Sequence, residues 1–174
     1  MDENSVSLKR WFPKERNKLE NMIKEALSEI MQDEIKRLMR YYNIPLKHKP
    51  KLVFRRLRWV GGKYAYRDNI IVIDASYRKV IVNVALDPNS FSVGIEQWVK
   101  SAFKVLYHEF RHFMQYYEDP KNSLAWYNRV GIPYKDRWTE IDAEDFEKSE
   151  ITKREKWVNE VAERLKQLGG RGGV

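Results

Sequence analysis

The chain has 174 residues, of which 43% are hydrophobic and 13% aromatic, and this is enough for one domain with a real core. It contains no cysteine, which excludes disulfide bonds and thiolate metal sites, while its formal net charge of +8 permits an acidic partner. There is no run of about eighteen apolar residues and no apolar segment behind a basic start, so we expect no membrane span, no signal peptide and a cytoplasmic location.

The first half of the chain predicts a long helix followed by a small sheet. Residues 14–42 carry apolar side chains at three- and four-residue spacing, with Pro13 before them and Asn43-Ile44-Pro45 after them. Four short runs rich in valine, isoleucine and aromatic residues then predict three or four mostly antiparallel strands, at 51–59, 63–66, 69–74 and 79–86.

The second half predicts three helices. The first runs from about residue 94 to Glu118 and ends before Pro120, because a proline disfavours helical geometry in the residue that precedes it. A short helix at 123–129 follows, and a final helix starts near Asp136 or Thr139 and ends at about Leu168. Thr139 and Asp142 have the spacing of a capping box. We therefore expect a single α+β domain over residues 1–168, with residues 169–174 as a flexible, glycine-rich tail.

Basic residues are concentrated just before and within the first predicted strand: Lys47, Lys49, Lys51, Arg55, Arg56 and Arg58. Such a cluster is compatible with nucleic-acid binding. Arg55, Arg56 and Arg58 also fit the solvent-facing side of a strand whose other side carries apolar residues, and we favour that interpretation.

The residues His108-Glu109-Phe110-Arg111-His112 form an HExxH motif within the second predicted helix. Positions i and i+4 of a helix share one face, so both imidazoles can bind one metal ion. Glu109 lies on a neighbouring face, where it can act on a water as general base. Without cysteine, the ion expected here is Zn²⁺ held by nitrogen and oxygen ligands. The alternative is a polar helix face that binds no metal.

The apolar residues of the same helix recur on a different face: Ile95, Trp98, Val99, Ala102, Leu106, Phe110, Phe113, Met114 and Tyr117. A helix buried along this stripe would leave both histidines at the border of a cleft.

A catalytic zinc site usually has three protein ligands, and the third has several candidates. His48 lies between two lysines, which is typical of a solvent-exposed histidine. Glu118 would require a sharp turn, usually at a glycine, but position 115 is glutamine. Further candidates lie in the acidic segment 139–146, although acids also favour the first turn of a helix without any metal.

This acidic segment resembles the gluzincins, zinc peptidases in which a glutamate on a second helix joins HExxH. Several of their branches place it in an E-x-x-A pattern followed by an acid and an aromatic residue, and Glu140, Ala143, Glu144 and Phe146 match that pattern. The resemblance implies that Glu140 is the third zinc ligand. Glu144, one turn further on, is the candidate for a carboxylate that hydrogen-bonds a ligating imidazole.

The short chain with one small sheet is most similar to the small gluzincins called minigluzincins. That resemblance implies that a C-terminal tail can occupy the cleft and hold the enzyme latent. The alternative is that the last residues are an unstructured chain end with no such role. Gly62-Lys63-Tyr64 before 70–74 also resembles the hairpin of SprT-like proteases, but their third histidine has no counterpart after the motif here.

The expected function is hydrolysis of peptide bonds in a peptide or protein substrate, bound along the edge of the sheet at the 69–74 strand or its neighbour. Tyr127, Tyr134 and Arg137 lie in a segment that could stabilise the oxyanion. The alternatives are a protease with one narrow protein substrate, a nucleic-acid-associated protease, and a binding module whose zinc is structural.

Overall fold

The structure, a computed structural model, describes residues 13–57, 60–74, 88–129 and 131–170. Within these ranges the chain is mostly helical and has the α+β character predicted from the sequence. The helices are α1 (Pro13–Tyr41), α2 (Pro88–Glu118), α3 (Pro120–Tyr127) and α4 (Trp138–Gly170). The strands are β1 (Lys51–Arg55), β2 (Gly62–Ala65) and β3 (Ile70–Asp74), and short 3₁₀ turns lie at Leu46–His48 and Tyr134–Asp136.

The predicted helices are confirmed, with two starts displaced by prolines. α2 begins at Pro88 and not near residue 94, and α3 begins at Pro120 and not at residue 123. A proline is favourable in the first helical turn, because its fixed φ is helical and its missing N–H would have had no partner there. Asp119 caps α3 by accepting a hydrogen bond from the Asn122 backbone N–H at 3.0 Å.

The capping box predicted for α4 is wrong. Thr139 lies inside the first turn, and its buried Oγ1 has no hydrogen-bond partner within the described residues. The backbone N–H groups of Glu140 and Ile141 both donate to the carbonyl of Arg137, which therefore precedes the helix. α4 continues through Gly170, so two glycines assigned to the tail are helical, and residues 171–174 lie outside the described residues.

The three described strands form a mixed sheet in the order β1-β3-β2, and not a mostly antiparallel one. β2 and β3 are an antiparallel hairpin joined by a turn at residues 66–69, whereas β1 pairs in parallel with the other side of β3. The link after β1 is fixed to the end of β3. Leu57 donates its backbone N–H to Asp74 Oδ1 at 2.8 Å, and Asp74 donates its own to Gly61 O at 2.8 Å.

That anchoring ends β1 at Arg55, before the predicted end at residue 59. Arg55 and Arg56 are exposed, as expected for a solvent-facing side, whereas Arg58 lies outside the described residues. The fourth predicted strand, 79–86, also lies outside them.

The core is centred on α2, which packs against α4, α3, β2 and β3. The predicted stripe of α2 is buried from Ile95 to Met114 except for the partly buried Trp98, whereas Tyr117 at its end is exposed. Phe103 and Tyr107 are also fully buried, although they lie outside that stripe. The apolar surface of α2 is thus wider than one face because several elements cover it.

A buried carboxylate on α1 ties that helix to both α2 and α4. The Glu34 side chain is 1% exposed and accepts hydrogen bonds from Arg37 at 2.8 and 2.9 Å. It also accepts from Tyr107 of α2 at 2.9 Å and from Arg154 of α4 at 3.2 Å. Because all these donors reach one carboxylate, they fix the position of α1 along the other two helices.

A second buried carboxylate, Glu150 of α4, reaches back to α1. It accepts from Arg37 at 3.0 Å, from Tyr42 at 3.3 Å and from Lys153 at 2.9 Å. Burial alone would raise the pKa of Glu150, but the hydrogen bonds from Lys153 and Arg37 outweigh it and lower the pKa below its usual 4.5.

Among the described helices, we find none that combines the length and the apolar character needed to cross a membrane.

Candidate metal centre

His108 and His112 lie one turn apart on α2 and direct their rings toward the same point. Their Nε2 atoms are 3.2 Å apart, and the ring centroids are separated by 4.8 Å. The side chains are 18% and 11% exposed, so both are largely withdrawn from solvent. The arrangement is that expected for two ligands of one ion.

Glu140 reaches this point from the first turn of α4. Its Oε2 lies 3.2 Å from His108 Nε2, and its Oε1 lies 3.4 Å from His112 Nε2. The Glu140 side chain is only 3% exposed. Ala143, one turn further along α4, is fully buried, which lets the two helices approach closely. Within the described residues, these three form the cluster whose donor atoms lie close enough together to hold a metal ion.

The spacing of the three donor atoms fits a zinc ion. Zinc binds imidazole nitrogen and carboxylate oxygen at roughly 2.0–2.2 Å, so neighbouring ligand atoms in a tetrahedral site are about 3.3–3.5 Å apart. The two imidazole Nε2 atoms are 3.2 Å apart, Glu140 Oε2 lies 3.2 Å from His108 Nε2, and the other carboxylate oxygen, Oε1, lies 3.4 Å from His112 Nε2. With one donor atom taken from each residue, all three lie within 4.8 Å of one another. In addition, no contact to the buried Glu140 Oε1 within the described residues has the geometry of a hydrogen bond, and His112 Nε2 lies 3.4 Å from it, so this oxygen can accept a bound ion.

Burial and charge strongly perturb the pKa values of the cluster. Burial alone would lower the pKa of His108, but hydrogen bonds with Glu140 and Glu147 outweigh it and raise the pKa to about 10. The pKa of His112 is raised by Glu140 in the same way. Burial alone would raise the pKa of Glu140, but hydrogen bonds from the two histidines lower it to about 2. Without a metal, protons on the imidazoles neutralise the buried carboxylate.

Glu109 is positioned by the sheet. Its side chain is buried beside the histidines and packs against β2, where a Cβ at position 62 would lie 3.3 Å from Glu109 Cγ. Burial raises the pKa of Glu109 more than His112 and His108 lower it. Gly62 permits this close approach, since a Cβ there would lie 2.2 Å from Val105 Cγ1 of α2.

A cleft of about 220 Å³ opens beside the cluster. Glu109, His112 and Gln115 line one side of it, and the backbone and side chains of β2 line another. Its remaining wall is rich in tyrosine: Tyr64, Tyr66, Tyr116, Tyr127 and Tyr134. β3 lies between the other two described strands, so it cannot be the edge strand that was predicted to pair with a substrate peptide. Of the two predicted possibilities, this leaves its neighbour β2, which is an edge strand among the described strands.

Two of the three residues considered for the oxyanion lie at this cleft. Tyr127 and Tyr134 line it, and Tyr134 is among the groups that lower the pKa of Glu140. Arg137 instead directs its guanidinium at the backbone carbonyls of Tyr127 and Ile132.

The prediction for Glu144 is wrong, and Glu147 takes the role assigned to it. Glu144 is 52% exposed and lies 3.6 Å from Lys148. Glu147 Oε2 lies 3.5 Å from His108 Nδ1. Glu147 is seven residues beyond Glu140, two turns along the same face of α4, and that spacing was a signal present in the sequence.

The two candidates discounted as third ligands are remote from the cluster. His48 is exposed, and its ring lies 5.2 Å from that of Tyr117. Glu118 is 56% exposed and lies 3.6 Å from Arg111.

No protein-family model, curated protein or solved structure matches this chain.

Proposed function

We propose that the protein is a zinc-dependent metallopeptidase in which His108, His112 and Glu140 hold the ion. The observation that carries the proposal is the arrival of the Glu140 carboxylate, from a separate helix, within 3.4 Å of both histidines of the motif. A zinc ion held there would lower the pKa of a water and polarise a peptide carbonyl. The donor set of two imidazoles and one carboxylate is typical of catalytic sites, which keep a position open.

Glu109 supplies the proton transfers in this proposal. It shares the cleft with His112 but does not belong to the ligand cluster. Its raised pKa suits a carboxylate that takes a proton from water and returns it to the departing amine near neutral pH. The Glu109 side chain lines the cleft together with Gly62 and Tyr64 of β2.

The edge strand β2 supports an extended peptide as the substrate. Gly62, Lys63 and Tyr64 line the cleft, so a peptide paired along β2 would pass directly beside Glu109. Backbone pairing of this kind demands little of the substrate sequence. The aromatic wall and the small volume of the cleft favour one large apolar side chain next to the scissile bond.

Metal content and digestion of a peptide library test the proposal together. We expect Glu109→Gln to bind zinc like the wild type and to lose cleavage by at least about a hundredfold, because the general base is removed. Glu140→Gln should lose zinc and cleavage together. Glu144→Gln is the matched control, because it makes the same change one turn away at an exposed position and should alter neither.

Two outcomes would contradict the proposal. Wild-type protein that binds zinc stoichiometrically and cleaves nothing in the library, but unfolds on chelation, would indicate a structural zinc. Cleavage that survives in Glu109→Gln would show that another group is the base.

A further inference from the structure

Gln115 is a buried amide whose polar atoms are all engaged at the centre of the α2–α4 contact. It lies one turn after His112 on α2 and is 3% exposed. Its side-chain oxygen lies 2.9 Å from His112 Nδ1, and its side-chain nitrogen lies 2.9 Å from Thr139 O and 2.7 Å from Asp142 Oδ2.

The orientation of this amide follows from its partners on α4. The backbone carbonyl of Thr139 and the carboxylate of Asp142 are both acceptors, so the group that faces them must be the NH₂ of Gln115. The amide oxygen is thereby turned toward His112. An acceptor at that position requires Nδ1 to carry a proton, which leaves Nε2 as the nitrogen directed at the metal cluster.

Asp142 is itself held in place by the motif helix. Arg111 donates from Nε to Asp142 Oδ2 at 2.7 Å and from Nη2 to Oδ1 at 3.4 Å. The guanidinium also lies over the Phe146 ring at 5.9 Å. Hydrogen bonds from charged donors are among the stronger ones in proteins, so Asp142 offers Gln115 a fixed acceptor.

We propose that Gln115 is a positioning residue that fixes His112 with its Nε2 free for the metal, and that Asp142 and Arg111 set the orientation of the Gln115 amide. This inference rests on the proposed zinc site. The two ligating histidines thus have different partners, since His108 Nδ1 faces a carboxylate at 3.5 Å and His112 Nδ1 faces a neutral amide. A partner that orients a ligating imidazole contributes about 10–100-fold to metal affinity.

The test compares zinc affinity, measured by competition with a chelator, in Gln115→Met and the wild type. We expect a 10–100-fold loss in the variant. The Co²⁺-loaded protein should also show an altered visible absorption spectrum, since one ligand is less well oriented. Gln97→Met is the matched control, because Gln97 is an exposed glutamine on the same helix.

Exchanging the amide at position 115 and the acid at position 142 tests whether Gln115 positions His112 or only fills space between α2 and α4. In Gln115→Glu, the new carboxylate faces Asp142 without a donor between them, so zinc affinity should fall. Adding Asp142→Asn supplies that donor while Glu at position 115 still accepts from His112, so part of the affinity should return, the carbonyl of Thr139 remaining without its donor. Resonances of ¹⁵N-labelled histidine in the zinc-loaded protein should show Nδ1–H on His112 in the wild type and in this double variant.

The inference would be overturned if Gln115→Met left both the zinc affinity and the Co²⁺ spectrum unchanged. Gln115 would then be a packing residue only, whatever the effect of the substitution on the free energy of unfolding. Failure of the double variant to regain affinity would also overturn it. These outcomes leave the proposed function standing. A wild type that takes up no zinc would overturn both, and one that binds zinc without cleaving peptides would overturn only the peptidase proposal.

Discussion

Gly62→Ala is the substitution for which the structure gives the sharpest expectation, because β2 lies directly on α2 at this residue. A Cβ at position 62 would lie 2.2 Å from Val105 Cγ1, 2.8 Å from Val72 O and 3.3 Å from Glu109 Cγ. Ordinary Cβ contacts begin at 3.4 Å, so relieving the first contact requires a movement of about 1.2 Å (3.4 minus 2.2).

Two opposing effects set the size of the change. Alanine reduces the conformational freedom of the unfolded chain, which stabilises by about 0.4–1 kcal/mol where the backbone tolerates it. Overpacking costs about 1–3 kcal/mol. Val105 has little freedom to yield, because a β-branched side chain on a helix has one strongly preferred rotamer, and Val72 O belongs to the backbone of the central strand. The clash should win, with a net loss of about 1–2 kcal/mol in the free energy of unfolding.

Urea unfolding of the metal-free protein measures this loss, and Gly61→Ala provides the matched control. At position 61 a Cβ would meet Val105 Cγ2 at 3.0 Å, which a movement of about 0.4 Å (3.4 minus 3.0) relieves, so we expect a much smaller loss than at position 62. Gly62→Ala should cost less free energy of unfolding when it is introduced into Val105→Ala than when it is introduced into the wild type, because the clashing methyl group is then absent. Peptide cleavage should fall in Gly62→Ala, because displacement of β2 changes the wall of the cleft beside Glu109. Equal stability of Gly62→Ala and Gly61→Ala would refute this account of the β2–α2 contact.

Three further predictions concern buried polar groups. Tyr107→Phe should lower the free energy of unfolding by about 1–3 kcal/mol, because it removes a buried donor to Glu34; an unchanged urea midpoint would contradict this. The pKa of Glu150 is lowered by its basic partners despite burial, so its contribution to stability is present above the usual 4.5 and is lost as the pH falls through the lower folded value. Glu150→Gln should therefore flatten the pH dependence of the unfolding midpoint in that acidic range. Because the pKa of His108 is about 10 and that of His112 is also raised, zinc uptake at pH 7 should release protons and strengthen toward pH 9. Calorimetric heats of zinc binding that do not depend on the buffer would contradict this.

The local part of the site could be predicted from the sequence because it depends on helical spacing alone. His108 and His112 share a face of α2 for any packing of that helix, and the stop at Glu118 follows from Pro120. The choice of Glu140 depended on a pattern of neighbouring residues, and its distance to the histidines became known only from the packing of α4 on α2.

The error at Glu144 shows what the hydrophobic pattern alone does not reveal. The face of α4 turned toward the other helices contains Glu140, Ala143, Glu147 and Glu150 at spacings of three, four and three residues. The acids among them would be interpreted as solvent-exposed by hydrophobicity, although Glu140 and Glu150 are 3% exposed. A helix buries acidic side chains only where cationic groups on other elements pair with them. Those pairs form when the elements pack together, so the sequence of the helix does not reveal them.

The same face of α4 links the metal cluster to the packing of α1. Its first turns supply Glu140 and Glu147 to the histidines, and its next turns bring Glu150 and Arg154 to the carboxylate network of α1. α2 is held from both sides of the motif, since Tyr107 donates to Glu34 and Gln115 donates to the start of α4. A shift of α4 along α2 would therefore break bonds at both ends of the motif. We expect substitutions in the α1 network to lower zinc affinity as well as stability, although no residue of that network lies in the ligand cluster.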